Sequence, residues 1–318
     1  MFNHVSVLLN ECIEGLNIKG DGIYVDATLG GAGHSSQILK RLNENGKLYC
    51  FDKDDEAIKA ANERLSKISS NYQIIRSDFS NLKEKLNEVG VEKIDGILFD
   101  IGVSSYQFDT PERGFSYKYD AKLDMRMDTT QKLSAYEVVN TYSKEELTRI
   151  FFEYGEERFA KQISAKICEQ RKISHIETTF QLVEVIKSAL PVKVLRQKGH
   201  PAKQVFQAIR IEVNDELGAL KTAIDQALSM LNKNGRCAII TFHSLEDRIV
   251  KNKFKQATNV NDNVKGLASL KDNEQEFELV NRKPIISTEQ ELMANNRAHS
   301  AKLRRRVLYP SCFGNTPI

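Results

Sequence analysis

Apolar and polar positions change period along the chain in a regular order. Ile23-Tyr24-Val25-Asp26 is a short apolar run that ends in an acid, and the loop after it carries glycine at 30, 31 and 33. Ile38, Leu39 and Leu42 then fall at helical spacing. Strand, glycine turn and helix form the first unit of a nucleotide-binding α/β domain. Further apolar runs at 47–52, 72–77 and 94–100 predict three more strands, ending at Asp52, at the pair Asp78-Phe79 and at Asp100. Between them Ala57, Ile58, Ala61, Leu65 and Ile68 mark one helix, and Leu82, Leu86 and Val89 another. Asp54 suits the first cap, with Asp55 and Glu56 in the first turn, where the helix dipole favours negative charge. Residues 1–22 supply a strand or turn leading into a covering helix. Strands recurring about every 25 residues predict a parallel sheet with right-handed crossovers.

After Asp100 the rhythm breaks. From 106 to 199 no buried strand is legible, and 107–128 reads as an irregular loop. Ser143-Lys144-Glu145-Glu146 and Thr178-Thr179-Phe180-Gln181 are capping-box patterns ahead of apolar helical faces, and a third helix carries Phe159, Ile163 and Ile167. Pro201 suits the first position of a long helix with Val205, Phe206, Ile209, Val213, Leu217 and Leu220 on one face. Asn234-Gly235 reads as a turn into a buried strand at 236–242, after which 277–285 and 303–309 form a final pair of strands. The polar stretch 259–276 reads as a mobile connection. The expected organisation is therefore a discontinuous domain, 1–105 with 205–318, interrupted by a helical domain at 106–204.

Bulk properties narrow the class without naming it. The 318 residues suffice for one large domain and a smaller one. A net charge of +3, from 46 Lys and Arg against 43 Asp and Glu, leaves any nucleic-acid surface to local clusters. Cys12, Cys50, Cys168, Cys237 and Cys312 are odd in number and never spaced as CxxC, which argues against a disulfide framework or a zinc site. With no basic start followed by an apolar run and no stretch near the ~20 apolar residues needed to span a bilayer, a cytoplasmic location is expected.

Ligands in such sheets bind beyond the carboxyl ends of the strands, so Asp26, Asp52, Asp78-Phe79 and Asp100 are expected to converge on one crevice. The glycine loop lacks the Gly-Lys-Ser/Thr of a nucleoside-triphosphate loop, because His34 follows Gly33. It also lacks the third glycine of a dinucleotide fingerprint, Ser36 standing there, which disfavours a dinucleotide-dependent oxidoreductase. An acid-lined crevice suits a cation instead. S-adenosylmethionine is a sulfonium with an ammonium, a ribose diol and an adenine. Asp52 is placed to accept both ribose hydroxyls, Phe79 to flank the adenine, and Asp100 to lie where the methyl group is delivered.

Longer motifs make the resemblance specific. Gly30-Gly31-Ala32-Gly33-His34-Ser35, Asp100-Ile101-Gly102-Val103-Ser104-Ser105, Leu123-Asp124-Met125-Arg126-Met127-Asp128, Tyr154-Gly155-Glu156-Glu157-Arg158-Phe159, His200-Pro201-Ala202-Lys203 and Phe242-His243-Ser244-Leu245-Glu246-Asp247-Arg248 follow in order over nearly the whole chain. Together they resemble the bacterial ribosomal small-subunit methyltransferase H family. The resemblance implies a class I (Rossmann-like) methyltransferase fold with an inserted helical domain. It implies transfer of a methyl group from S-adenosylmethionine to N4 of a cytidine in the decoding region of 16S rRNA. It also implies cofactor contacts at Ala32, Gly33, His34, Asp52, Phe79, Asp100 and Gln107. One position departs from the pattern: Tyr106 stands where Pro follows the family's Val-Ser-Ser, which bears on the loop beside Gln107.

The residues allow a mechanism. The N4 lone pair of cytosine is delocalised into the ring, so an acceptor that binds an amine hydrogen would localise it. Candidates are the Asp100 side chain and a carbonyl of the loop through Ser104 and Ser105. Carbon-5 methylation would need a Cys nucleophile; none of the cysteines follows Pro, and Cys237 falls in a predicted buried strand. His34 either braces the glycine turn or touches the cofactor. His243, Glu246 and Asp247 suggest acid–base work or a turn-stabilising role, and no metal is expected. Basic clusters at 193–203, with Arg196, Lys198 and Lys203, and at 297–306 are the candidate rRNA contacts. A ribosome-assembly factor that binds the cofactor without obligatory turnover is the alternative reading.

Overall fold

A computed structural model describes residues 6–102, 110–258, 277–279 and 283–308. The chain divides into two compact units, one of 1–102 with 217–318 and one of 103–216.

The first unit is built on a seven-stranded sheet. Its strands are β1 (Ile23–Asp26), β2 (Lys47–Asp52), β3 (Tyr72–Arg76), β4 (Ile94–Asp100), β5 (Leu231–Thr241), β6 (Phe277–Leu279) and β7 (Lys302–Leu308), in the order β3-β2-β1-β4-β5-β7-β6. β1 to β5 are parallel, and β7 runs antiparallel to both β5 and β6. The order reverses between β1 and β4, so the carboxyl ends of these two strands flank the switch point at which open α/β sheets bind ligands. This doubly wound arrangement, with β7 alone reversed and inserted between β5 and β6, is the class I methyltransferase fold. Each sheet face has its own core. Val25, Phe51, Ile97, Phe99 and Ile239 pack on one side with Leu220, Ile224 and Phe254. Tyr24, Leu48, Leu98 and Ile240 pack on the other with Cys12, Leu16, Ile38 and Leu65. Strands covered on both faces must be apolar almost throughout, which is why the runs at 47–52 and 94–100 show no alternation. Among the described residues no helix is long and apolar enough to cross a membrane.

The second unit is helical. Its helices are Ala135–Thr141, Lys144–Glu153, Ala160–Ile173, Thr179–Ser188, Val192–Leu195 and Lys203–Asn214. Ser143 and Thr178 cap their helices through capping boxes, as their spacing predicts. A third box, Ser134 with Glu137, starts a helix that the apolar pattern alone does not reveal. Leu147, Ile150, Phe151, Ile163, Ile167, Leu182, Ile186, Val205 and Ile209 close one core around these elements.

Two expectations change. The long helix from 201 is broken: Asp215 takes a left-handed conformation (φ 46°), and a separate helix runs Glu216–Met230. The half before the break buries Val205, Phe206, Ile209 and Val213 in the helical unit, whereas Leu220 and Ile224 lie in the sheet's core. The boundary expected at 205 therefore falls at 217. Asn234-Gly235 turns as expected, Asn234 being left-handed (φ 65°), and lies where the register of β5 against β4 jumps from Leu231 to Arg236. The polar stretch 259–276 lies outside the described residues.

In the helical unit Asn214 holds the Leu123–Asp128 motif to the last helix. Its Oδ1 accepts from Met127 N–H (2.8 Å), and its Nδ2 donates to the carbonyls of Met125 (2.8 Å) and Arg210 (2.9 Å). Asn214 and Met125 are buried, so truncation strands backbone groups away from water. Asn214→Ala is expected to lower the unfolding free energy by about 2 kcal/mol, read from urea titration. A change below about 0.5 kcal/mol would mean that solvent replaces these bonds.

Candidate active site

The residues around the switch point are held by a buried polar chain. Asp26 ends β1 and is 1% exposed. Its Oδ2 accepts from Ser35 Oγ (2.6 Å) and its Oδ1 from Thr28 N–H (3.1 Å). Thr28 Oγ1 in turn accepts the Asp100 N–H (2.6 Å), so the turn after β1 is tied to the end of β4. Burial raises the Asp26 pKa, against the pull of His34 and the hydrogen bonds from Ser35 and Thr28. Asp26 is therefore a strut beneath the glycine loop, and its expected place among the ligand-facing acids is corrected: both oxygens point into the fold.

The glycines serve different ends. Gly30 has φ +45° and Ala32 φ +56°, so the loop doubles back through left-handed backbone. A Cβ on Gly33 would sit 1.8 Å from Ser6 Oγ, so a side chain there would have to displace the Ser6 hydroxyl. A Cβ on Gly31 would meet nothing within 4 Å, which leaves open the approach that a ligand needs. Arg64 Nη1 braces the loop from outside at the Gly31 carbonyl (2.8 Å). His34 is buried, with Nε2 donating to the Val7 carbonyl (3.1 Å) and Nδ1 lying 3.7 Å from Asp100 Oδ2. Of the two roles foreseen for His34, bracing is the one whose contacts the described residues display.

The remaining acids divide. Asp78 caps the short turn that begins at Phe79, accepts from Ser80 N–H (2.8 Å) and pairs with Lys53 Nζ at 2.7 Å. Burial alone would raise its pKa, but Lys53 and Ser80 hold it below the ordinary carboxylate range. Asp52 is half-buried at the end of β2. Its Oδ1 accepts from Lys53 N–H and Asp54 N–H, and its Oδ2 from Gly30 N–H (2.9 Å). Desolvation outweighs these donors and lifts its pKa from 3.8 to about 6. Oδ2 keeps acceptor capacity, since one donor leaves a lone pair unused. Asp100 is the half-buried end of the chain of bonds. Its Oδ1 is buried with no hydrogen-bond partner among the described residues. Phe79 is half-buried and packs edge-on to Phe99, centroids 6.0 Å apart.

Asp52, Phe79 and Asp100 thus follow the carboxyl ends of β2, β3 and β4, as the strand pattern predicts. Ser104, Ser105 and Gln107 lie outside the described residues. The donor set fits S-adenosylmethionine on two observations: an orphaned carboxylate oxygen at Asp100 awaiting a cationic or N–H donor, and unfilled space over Gly31. Cys12, Cys50 and Cys237 are buried, and burial pushes their thiols up, Cys237 to about 12, so none of these three is poised as a nucleophile.

The sequence model of one family matches residues 1–307, from the first strand to the last. The chain belongs to the MraW methylase family. Ribosomal RNA small subunit methyltransferase H of Streptococcus equi subsp. equi (strain 4047) is 57% identical over 306 residues, 95% of this chain and 96% of its own length. Among solved structures, an rRNA methylase from Streptococcus thermophilus is 14% identical at TM-score 0.42, covering 95% of this chain and 93% of its own. A SAM-dependent O-methyltransferase from Thermotoga maritima is 9% identical at TM-score 0.41, covering 96% and 66%.

For this MraW-family chain the other motif residues separate by environment. His243 and Glu246 form a capping arrangement at the helix Ser244–Thr258: Glu246 Oε2 accepts from the N–H groups of Phe242 (2.7 Å) and His243 (3.2 Å), and His243 Nδ1 from Glu246 N–H (3.4 Å). Asp247 holds Arg304 (2.7 Å) and Lys302 (3.4 Å), and Arg306 is fully buried 5.2 Å from the Phe254 ring. Of the cluster 297–306, expected as an rRNA contact, Arg306 is corrected, being sealed in the core, while Lys302 and Arg304 pair with Asp247. Arg196, Lys198 and Lys203 are exposed.

An acid whose folded pKa lies above its unfolded value stabilises the fold while protonated. The contribution of Asp52 is complete below pH 3.8 and is lost as pH rises through about 6. A carboxyl-carbon NMR titration of the ligand-free protein should place Asp52 near 6. A midpoint at the ordinary aspartate value near 3.9 would mean that the three N–H donors dominate over burial.

Proposed function

We propose that this chain transfers the methyl group of S-adenosylmethionine to N4 of a cytidine in the 16S rRNA of the small ribosomal subunit, in the cytoplasm. The observation that carries this reading is the 57% identity, over 95% of the chain, to a ribosomal RNA small subunit methyltransferase H. The site chemistry supports it from below. S-adenosylmethionine, when bound, supplies an electrophilic methyl group on a sulfonium.

The chain's own residues do the rest. Gly30, Gly31, Ala32 and Gly33 form the cradle for the methionine portion, with His34 setting its depth through Val7. Asp52 offers its spare lone pair to the ribose hydroxyls, and Phe79 gives an apolar face to the adenine. Asp100 has two oxygens for two tasks, charge complementarity to the cofactor and acceptance of an amine hydrogen. Acceptance by Oδ1 would draw the N4 lone pair out of conjugation and orient it for in-line displacement, so the gain is mainly positional. The proton released when the N–C bond forms can rest on that carboxylate. A base stacked in a helix cannot present N4 in this way, so the cytosine must be unpaired and extruded.

The helical unit, which leaves the sheet domain two residues after Asp100, is assigned to RNA recognition, with Arg196, Lys198 and Lys203 as phosphate contacts. An assembly factor binding the cofactor without turnover is the competing reading, and label transfer separates the two. Tritium from methyl-labelled S-adenosylmethionine is expected in 16S rRNA, offered naked or in assembled small subunits. Cofactor binding with label in neither substrate would favour the assembly factor.

Asp100→Asn is expected to lower turnover by about 100-fold, and undiminished turnover with unchanged cofactor affinity would remove the side chain from the mechanism. Arg196→Ala with Lys198→Ala should weaken RNA binding broadly and reduce the log–log salt slope by about 2. An unaltered slope would place the RNA elsewhere.

A further inference from the structure

In the helical unit the rings of Tyr117 and His200 lie parallel, with centroids 4.2 Å apart and planes 11° from each other. They are 83 residues apart in the chain, so the stack is made by the tertiary fold. Phe206 supports it from below, edge-on to Tyr117 at 5.7 Å. Both stacked rings keep solvent exposure. The Tyr117 hydroxyl and His200 Nε2 have no hydrogen-bond partner among the described residues, while His200 Nδ1 accepts the Ala202 N–H at 3.2 Å. The backbone is specialised for presenting this ring. Gly199 has φ +109°, a conformation denied to side-chain-bearing residues, and Pro201 fixes the other side.

The charge around the stack is one-sided. From residue 185 to residue 211 the chain carries six Lys or Arg and no Asp or Glu. Lys193, Arg196, Lys198 and Lys203 are exposed and have no carboxylate partner among the described residues. Val192 and Leu195, in the same stretch, are 62% and 38% exposed. Burial and the neighbouring Lys187 lower the His200 pKa, so the imidazole is neutral at neutral pH and offers a π-face rather than another charge.

Unpaired cations tracking a backbone, beside an aromatic surface that tolerates any base, are the two components of single-stranded nucleic-acid recognition. We propose that the Tyr117–His200 stack is a platform on which an unpaired base of the RNA substrate stacks, while the acid-free segment 185–211 holds the flanking phosphates. This rests on the rRNA methyltransferase reading and adds to it a contact that is not ionic. A structural role alone would explain the ring packing but not the one-signed charge or the exposed faces.

The test separates ring from cap. His200→Asn keeps an acceptor for the Ala202 N–H but loses the ring, and His200→Phe keeps a ring but loses the acceptor. Each full-length variant is titrated by fluorescence anisotropy with a single-stranded 16S rRNA fragment, alongside binding of S-adenosylmethionine and thermal melting. His200→Asn should weaken RNA binding by roughly tenfold, with the salt slope and cofactor affinity unchanged, and His200→Phe should stay within about twofold of the parent. Equal losses in both variants, or no loss in His200→Asn, would overturn the platform while parental methyl transfer continued. Absence of parental transfer to any RNA would instead remove the reading beneath it.

Discussion

The site depends on a buried carboxylate that a ligand never needs to touch. Asp26 is 1% exposed, and its two oxygens gather Ser35 from the helix after the glycine loop and Thr28 from the turn after β1. Thr28 then receives the Asp100 N–H, so one strut positions both the cradle and the acid at the end of β4. Burying a carboxylate is costly unless its lone pairs are filled, and here the donors come from the very elements that must be aligned. His34 completes the frame by tying the loop to Val7 and standing beside Asp100. The result is one buried oxygen, Asp100 Oδ1, without a hydrogen-bond partner among the described residues.

The parallel strands and their terminal acids were legible because a strand covered on both faces must be apolar throughout, and chain polarity brings the ends of β1, β2 and β4 to one edge. What each acid does was not legible. Asp26, Asp52, Asp78 and Asp100 occupy equivalent places in the pattern, yet Asp26 is internal and Asp78 is neutralised by Lys53. The difference lies in partners supplied from distant positions. The same limit hid the close approach of Ser6 to Gly33 and the end of the inserted unit. Helical periodicity runs on through Asp215, because Val213 and Leu217 lie on one continuous pattern. A single left-handed residue divides that pattern between two cores.

Lysines and arginines make the point most sharply. Sequence offers both 193–203 and 297–306 as basic clusters, the second partly within a predicted strand. In β7 the strand period sends Lys302, Arg304 and Arg306 to one face, against the helix Ser244–Thr258, where Asp247 and Phe254 meet them. Arg306 pays the desolvation cost in its pKa, which falls to about 10. No such helix partner exists for Arg196, Lys198 or Lys203 among the described residues, and the acid-free run from 185 to 211 offers no local one. Charge density was visible in the sequence, but register decided its fate.

A net charge of +3 therefore conceals two opposed local fields. The sheet unit gathers acids at its strand ends and suits a cation, while the helical unit carries an unpaired basic stretch and suits a polyanion. Opposite charges intermixed on one surface cancel, whereas charges of one sign grouped together sum to a local field that reaches about one Debye length, ~8 Å at physiological salt. Grouping by sign is what lets one nearly neutral chain offer acid-lined strand ends to a cation and a basic stretch to a polyanion. Phosphate attraction alone is indifferent to base identity. Discrimination needs groups that read a base's face or edge, and the proposed Tyr117–His200 platform and the proposed Asp100 acceptor are of those two kinds.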